Sequence, residues 1–291
     1  MGVALIFISA LFFSLSSFFG KIVTNTTNMS GVITSFSRFF IGAVMMFIYI
    51  LATKKSFKPN DFKPILGRGI FNSFSIVFMT GALNYTTMTN ANMLNMTYPV
   101  LVILLAPILL KEKIKKSTYA YLAAIMLGSY IIADPTFGNI NRGDIMGVLS
   151  ALSASISVIS LKDASNKNEG HVIVFYVMLI GTIINIPFSM HDIINFDYSA
   201  LIYVFIAGFI GFVAQIFMTE GYKYVDSATG ALVSASRIVI SAILGIVLIN
   251  EPLNFRIVIG MLLIGGSLVG VSGYFNKKKK MVTPEGNEIV I

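Results

Sequence analysis

Cysteine is absent from the 291 residues, so neither a disulfide framework nor a thiolate metal site can exist. Histidine is nearly absent. His171 and His191 stand far apart, which argues against a histidine-built metal centre. Charged residues are scarce at 12%, about half of the ~25% usual in a soluble domain. Hydrophobic residues make up 56%, and mean hydropathy is +0.83, so most side chains must face something other than water. Acidic residues are missing from the interior of every apolar run described below. Membrane proton relays commonly use an intramembrane carboxylate. Its absence points to an exchanger or facilitator, with Glu220, at the end of the eighth run, as the candidate if coupling exists.

The apolar runs have the length of membrane-spanning helices, about 20 residues each. There are ten: 3–23, 31–53, 67–85, 91–110, 119–133, 143–161, 172–190, 200–219, 227–249 and 256–275. No small-x-small cleavage site follows the first, so it reads as a spanning helix rather than a signal peptide. The net charge of +8 sits in short loops and a terminal lysine cluster, not on a basic face with interleaved aromatics. It therefore reads as topology information and not as a nucleic-acid surface. With the N-terminus cytoplasmic, sixteen basic residues fall inside: Lys54, Lys55, Lys58, Lys63, Arg68, Lys111, Lys113, Lys115, Lys116, Lys162, Lys167, Lys223 and Lys277 to Lys280. Three fall outside: Lys21, Arg142 and Arg256. Both chain ends are then expected on the cytoplasmic side of a cell membrane.

The chain also repeats itself. Phe78-Met79-Thr80 returns as Phe217-Met218-Thr219. In the same register Tyr85 matches Tyr224, and Glu112 matches Glu251. Both glutamates end an apolar run and read as structural. The expected fold class is an all-α integral membrane protein with ten transmembrane helices, built as two inverted five-helix repeats. The repeats span 1–134 and 143–276, and a basic tail follows at 277–291. Five spans per half make the second half insert upside down. Inverted repeats place the substrate at the midplane between the halves and supply two related states for alternating access.

Arg237 is the sharpest candidate, near the middle of the ninth run. An arginine at bilayer depth faces a bundle interior or a wet cavity. It reads as an anchor for a carboxylate or, alternatively, as a structural residue bonded to helix carbonyls. Ser234, Arg237 and Ser241 recur at i, i+3 and i+7, on one helical face. Their counterparts in the repeat register are Asn95, Tyr98 and Val102. Arg38, Gln215 and Asn72 are further candidates for substrate contact. Lys21 and Glu220 are candidates for gating or coupling, though Lys21 also fits snorkelling to the surface. Pro99 is a candidate hinge, because a proline within a helix removes a donor and kinks the chain. The serines of the first and sixth runs, Ser14, Ser17, Ser150, Ser153, Ser157 and Ser160, read chiefly as helix-packing residues.

These residues together resemble the drug/metabolite transporter superfamily, in its ten-helix EamA-type branch. The resemblance is carried by Arg38, the run Ala91 to Pro99, Glu112, the pair Gly230-Ala231, and the run Gly245 to Glu251 before Pro252. It implies paired five-helix repeats, a central cavity formed mostly by helices other than the fifth and tenth, and movement of small metabolites. Many relatives carry proline where this chain has Ile238. An arginine beside that position is similar to a subset handling carboxylate-bearing or S-adenosylmethionine-like solutes.

The expected function is secondary transport of a small, anionic or amino-acid-like metabolite, with no cofactor and no metal. The partners are that solute and the lipid bilayer, and a homodimer is compatible with the sequence. A channel or a non-transporting membrane subunit is the alternative. A membrane enzyme lacks a nucleophile, metal or acid–base set.

Overall fold

The computed structural model describes residues 1–82, 85–135, 140–249, 254–272, 280–282 and 288–290. Its helices are α1 (Gly2–Thr26), α2 (Gly31–Ala52), α3 (Phe62–Ala82), α4 (Met88–Asn95), α5 (Tyr98–Leu109), α6 (Lys116–Ala133), α7 (Arg142–Lys167), α8 (Gly170–Ile194), α9 (Leu201–Tyr222), α10 (Ser227–Ser234), α11 (Ser236–Ile249) and α12 (Phe255–Val271). A short antiparallel hairpin pairs Lys280–Val282 with Glu288–Val290. Glu251, Pro252 and Lys277 to Lys279 lie outside the described residues.

Among the described residues, eight helical stretches are long and apolar enough to cross a membrane, and α12 is a shorter apolar helix. Large apolar side chains such as Phe40, Phe47, Ile48 and Leu51 cover the outside of α2. A soluble bundle would bury such a face, whereas lipid accepts it. Inside, Phe39 of α2, Met178 of α8 and Phe212 of α9 form one packed cluster. Ile6, Ala214, Met218 and Tyr222 belong to another, which joins α1 to α9.

The fourth and ninth apolar runs each fold as two helices. Pro99 explains the first break. It has no N–H to offer the Asn95 carbonyl, and its ring crowds that carbonyl. The chain tightens instead, with Thr97 N–H donating to Leu94 O at 3.1 Å. In the ninth run, Ala235 N–H donates to Leu232 O at 3.1 Å and Ile238 N–H to Ala235 O at 3.0 Å. Here Ile238 stands where Pro99 stands in the fourth run, and no proline accounts for the break. The two helical starts are capped alike. Thr87 accepts from Asn90 N, and Asp226 accepts from Thr229 N. The two caps occupy matching positions in the repeat register, as do Asn95 and Ser234, the last residues of α4 and α10.

The major packing partners are α1 with α9, α3 with α7, α2 with α8, and α6 with α12. Exchanging each helix of residues 1–133 with its counterpart in the later half turns the first pair into the second and leaves the last two unchanged. The α6–α12 pair is a backbone contact. A Cβ on Gly128 would lie 2.8 Å from Gly260 O, and one on Gly260 2.7 Å from Gly128 O. Neither oxygen can move aside. Gly128→Val is expected to destabilise this pair by about 1–3 kcal/mol, the usual range for overpacking. A lower melting temperature of the purified protein, with transport per folded molecule preserved, is the outcome to measure.

One charge is not where the sequence count puts it. With the third run begun at Gly67, Arg68 falls at the inner loop. The helix starts earlier, at Phe62, with Asp61 accepting from Lys63 N at 3.0 Å. Arg68 thus lies in the second turn, 3% exposed, inside the bundle.

Candidate functional site

Three arginines converge beside the two helix breaks. Arg237 is the second residue of α11, directly after the break, which places it at the middle of the ninth run. Its guanidinium carbon sits 4.1 Å from the centroid of the Phe13 ring on α1. Ser14 Oγ donates to the Arg237 carbonyl at 3.3 Å, tying α1 to the break. Arg38, from α2, also lies over Phe13, at 5.6 Å, and over Phe39 at 4.9 Å. Sharing one ring makes the two guanidiniums neighbours. Gly211 of α9 makes room for Arg38, since a Cβ there would come 2.7 Å from Arg38 Cδ.

Arg68 approaches from α3. It donates to Ser157 Oγ on α7 at 2.8 Å and to Gln215 Oε1 on α9 at 3.3 Å. Gln215 is one helical turn beyond Gly211, so α9 carries Arg38 and Arg68 on neighbouring turns. The Nε atoms of Arg68 and Arg237 are both buried without a hydrogen-bond partner. Among the described residues, no carboxylate stands within 4.0 Å of any of the three guanidiniums. The ion pairs lie elsewhere, for example Lys167 with Asp61 and Arg256 with Asp134. Neutral groups complete the setting. Tyr98 Oη, at the start of α5, donates to Ala231 O at 3.3 Å. Tyr98 and Tyr222 both lie beside Ser234, and Tyr222 Oη is buried without a hydrogen bond of good geometry.

Among the candidates read from sequence, Arg237, Arg38, Tyr98, Ser234 and Gln215 are therefore brought together. Asn72 is on the Arg68 face of α3, one turn on, and is partly buried. Asn95 is occupied elsewhere: its Nδ2 donates to Ser150 Oγ at 2.6 Å, in a knot with Ser75 of α3. Ser157 and Ser160 also face α3, Ser160 across from Gly67. Ser241 is exposed, so the extended polar face of the ninth run does not continue into the cluster. The tightened backbone at 235–238 turns α11 relative to α10 and interrupts the straight-helix spacing. Lys21 is exposed, about two turns beyond Phe13 along α1.

Glu220 belongs to a different feature. It pairs with Lys223 at 2.8 Å at the rim of a cavity of about 540 Å³ between the ends of α2, α8 and α9. Met46, Tyr49, Lys55, His171 and Phe212 also line it, and none of the three arginines does. Arg68, Phe13 and Tyr222 are the members of the arginine cluster that the sequence reading missed. For Arg68 a signal existed: Asp61 followed by Pro64 marks a helix start.

Glu112 clasps the start of α10. Its carboxylate accepts from Ser227 N at 3.0 Å and from Ser227 Oγ at 3.0 Å. Burial raises its pKa above the usual glutamate value of 4.5, against the lowering effect of those bonds. A raised acid pKa means the folded state binds the proton more tightly. Stability from this group is full below about 4.5 and is lost as pH rises through the higher folded value. Melting curves should show a stability decline just above pH ~4.5 that Glu112→Gln flattens; an unchanged slope in the variant would remove Glu112 as its source.

The EamA-like transporter family model matches residues 1–133 and again 141–273. The chain belongs to this family. It is a multi-pass membrane transporter. An uncharacterized transporter of Helicobacter pylori is 24% identical, with 96% of this chain and 98% of that protein covered. The pseudopaline exporter CntI of Pseudomonas aeruginosa is 23% identical over 78% of this chain and 80% of its own length. The uncharacterized transporter YetK of Bacillus subtilis is 25% identical over 86% of this chain and 80% of its own length. A solved crystal structure superposes with a TM-score of 0.75 at 18% identity, covering 94% of this chain and 96% of that one, which establishes the likeness of fold alone.

Proposed function

We propose that this transporter carries a small anionic metabolite across the cytoplasmic membrane by alternating access, gripping it with Arg237 between two inverted five-helix repeats. The observation that carries this reading is that, among the described residues, Arg237, Arg38 and Arg68 have no carboxylate partner inside the bundle. Buried charges are paired in stable proteins, because desolvating one alone is costly. Here the missing partner is supplied by the solute, through the two-pronged geometry that suits guanidinium to carboxylate.

The repeat reading is supported by the breaks and caps that recur in one register, and by a packing scheme that survives exchange of the halves. Ten spans in two halves of five put both chain ends on one side. Broken helices at the midplane are the usual place for solute in such architectures. One relative is named as an exporter, which fits movement of a small metabolite.

Reconstitution into proteoliposomes tests the proposal. Flux of the anionic solute should saturate and accelerate when the same solute is loaded on the far side. Terminal tags should be reached from one face only. Flux that rises linearly with concentration would point to a channel, and ends on opposite faces would remove the inverted repeat.

A further inference from the structure

We infer that the solute bears two or more negative charges, as a di- or tricarboxylate or a phosphorylated metabolite does. The inference rests on the anionic reading above and deepens it. It stands on the count of cations and on where they sit. Arg38 and Arg237 share the ring of Phe13, and Arg68 is tied to the same stretch of α9 on which Arg38 rests. A single carboxylate would neutralise one of these charges and leave two like charges together inside the bundle, where Arg68 is buried and Arg38 and Arg237 are half-buried. That residue of repulsion is large where the dielectric is low.

The donors agree with the charges. Each guanidinium offers five N–H groups and accepts nothing. Arg68 spends its terminal nitrogens on Ser157, Gln215 and the sulfur of Met218, yet leaves Nε open. It is 3% exposed, so water does not readily serve that donor. Arg237 Nε is open as well. The neighbouring partners are all neutral: the Phe13 ring, the Tyr98 and Tyr222 hydroxyls, Ser234 and Gln215. Nothing among the described side chains there competes with an anion for these donors. A structural arginine needs one set of partners. Three arginines with spare donors and neutral neighbours need several anionic oxygens.

The test uses purified full-length protein in detergent, with acetate, succinate, citrate and inorganic phosphate as probes at matched ionic strength. Thermal stabilisation is converted to an apparent affinity for each. Citrate should bind about tenfold or more tighter than acetate, with succinate between them. In Arg38→Gln and Arg68→Gln, each checked for a monodisperse elution profile, the citrate-to-acetate ratio should fall about tenfold. A stronger response to phosphate than to succinate would assign the charges to a phosphorylated solute; the reverse assigns them to a polycarboxylate. Equal binding of acetate and citrate overturns the inference and leaves the anionic reading standing. A ratio unchanged in both variants also overturns it. Failure of every anion to stabilise the protein would instead remove the anionic reading itself.

Discussion

Arg237→Ala is expected to abolish measurable transport while the protein still inserts and folds. The side chain does not hold the helices together through its own hydrogen bonds, since its Nε is unpartnered and its main contact is the Phe13 face. Ser14 reaches the backbone carbonyl, which alanine retains. If Arg237 grips the solute as proposed, what is lost is the partner of the solute's charge. Removing one member of a buried, hydrogen-bonded charge pair costs about 2–5 kcal/mol. Since ~1.4 kcal/mol is tenfold, flux at subsaturating solute should fall by at least about 30-fold. Arg237→Lys keeps the charge but not the planar fork, so it should recover only part of the loss. Initial rates in proteoliposomes, normalised to folded protein, check both. Normal rates in the alanine variant would remove Arg237 from the mechanism.

Arg38→Met should do two opposite things at once. It should slow transport and raise the melting temperature. At an effective dielectric of about 20, two like charges about 10 Å apart repel by about 1.7 kcal/mol, and Arg38 faces two such neighbours. Its loss also removes the part of the desolvation cost that a half-buried cation carries. Against this stand two contacts to aromatic faces, each worth about 0.5–2 kcal/mol. The relief of charge is the larger effect, and methionine retains the length that fills the space over Gly211. Each kcal/mol gained should raise the melting point by about 2–4 °C in a chain of this size. A purely structural Arg38 would give the reverse, a lower melting point. Stability sacrificed for a working site is a common trade in proteins.

The membrane character and most helix positions are legible in the sequence because lipid imposes long apolar runs, and such runs are hard to mistake. The repeat register is legible too, from a few polar and aromatic matches such as Thr80 with Thr219. Arg237 stands out because a charge within an apolar run has few alternative explanations. Arg68 does not, because it follows Lys63 at the polar start of its helix, where charges are normal. Only the helix boundary at Phe62 turns it inward. Asn95 misleads for a different reason. Helical spacing places it with Tyr98, but the break beside Pro99 turns α4 toward Ser150. Spacing rules assume a continuous helix, and the centre of this fold is where the helices are discontinuous. The ring of Phe13 leaves no mark in the sequence, since one phenylalanine among many apolar residues carries no signal until three-dimensional packing sets two arginines upon it.

The chain's lack of cysteine permits a direct test of a solute chamber beside the breaks. Ser234→Cys would place a single thiol next to Tyr98 and Tyr222, at a position 3% exposed in this conformation. The thiol should react with membrane-impermeant reagents applied to either face in turn, as the chamber opens alternately. A negatively charged sulfonate reagent should outpace a positively charged ammonium reagent of the same size, drawn by Arg38, Arg68 and Arg237. A thiol that reacts from neither face until the protein is denatured, or that prefers the cationic reagent, would contradict a chamber built to receive anions.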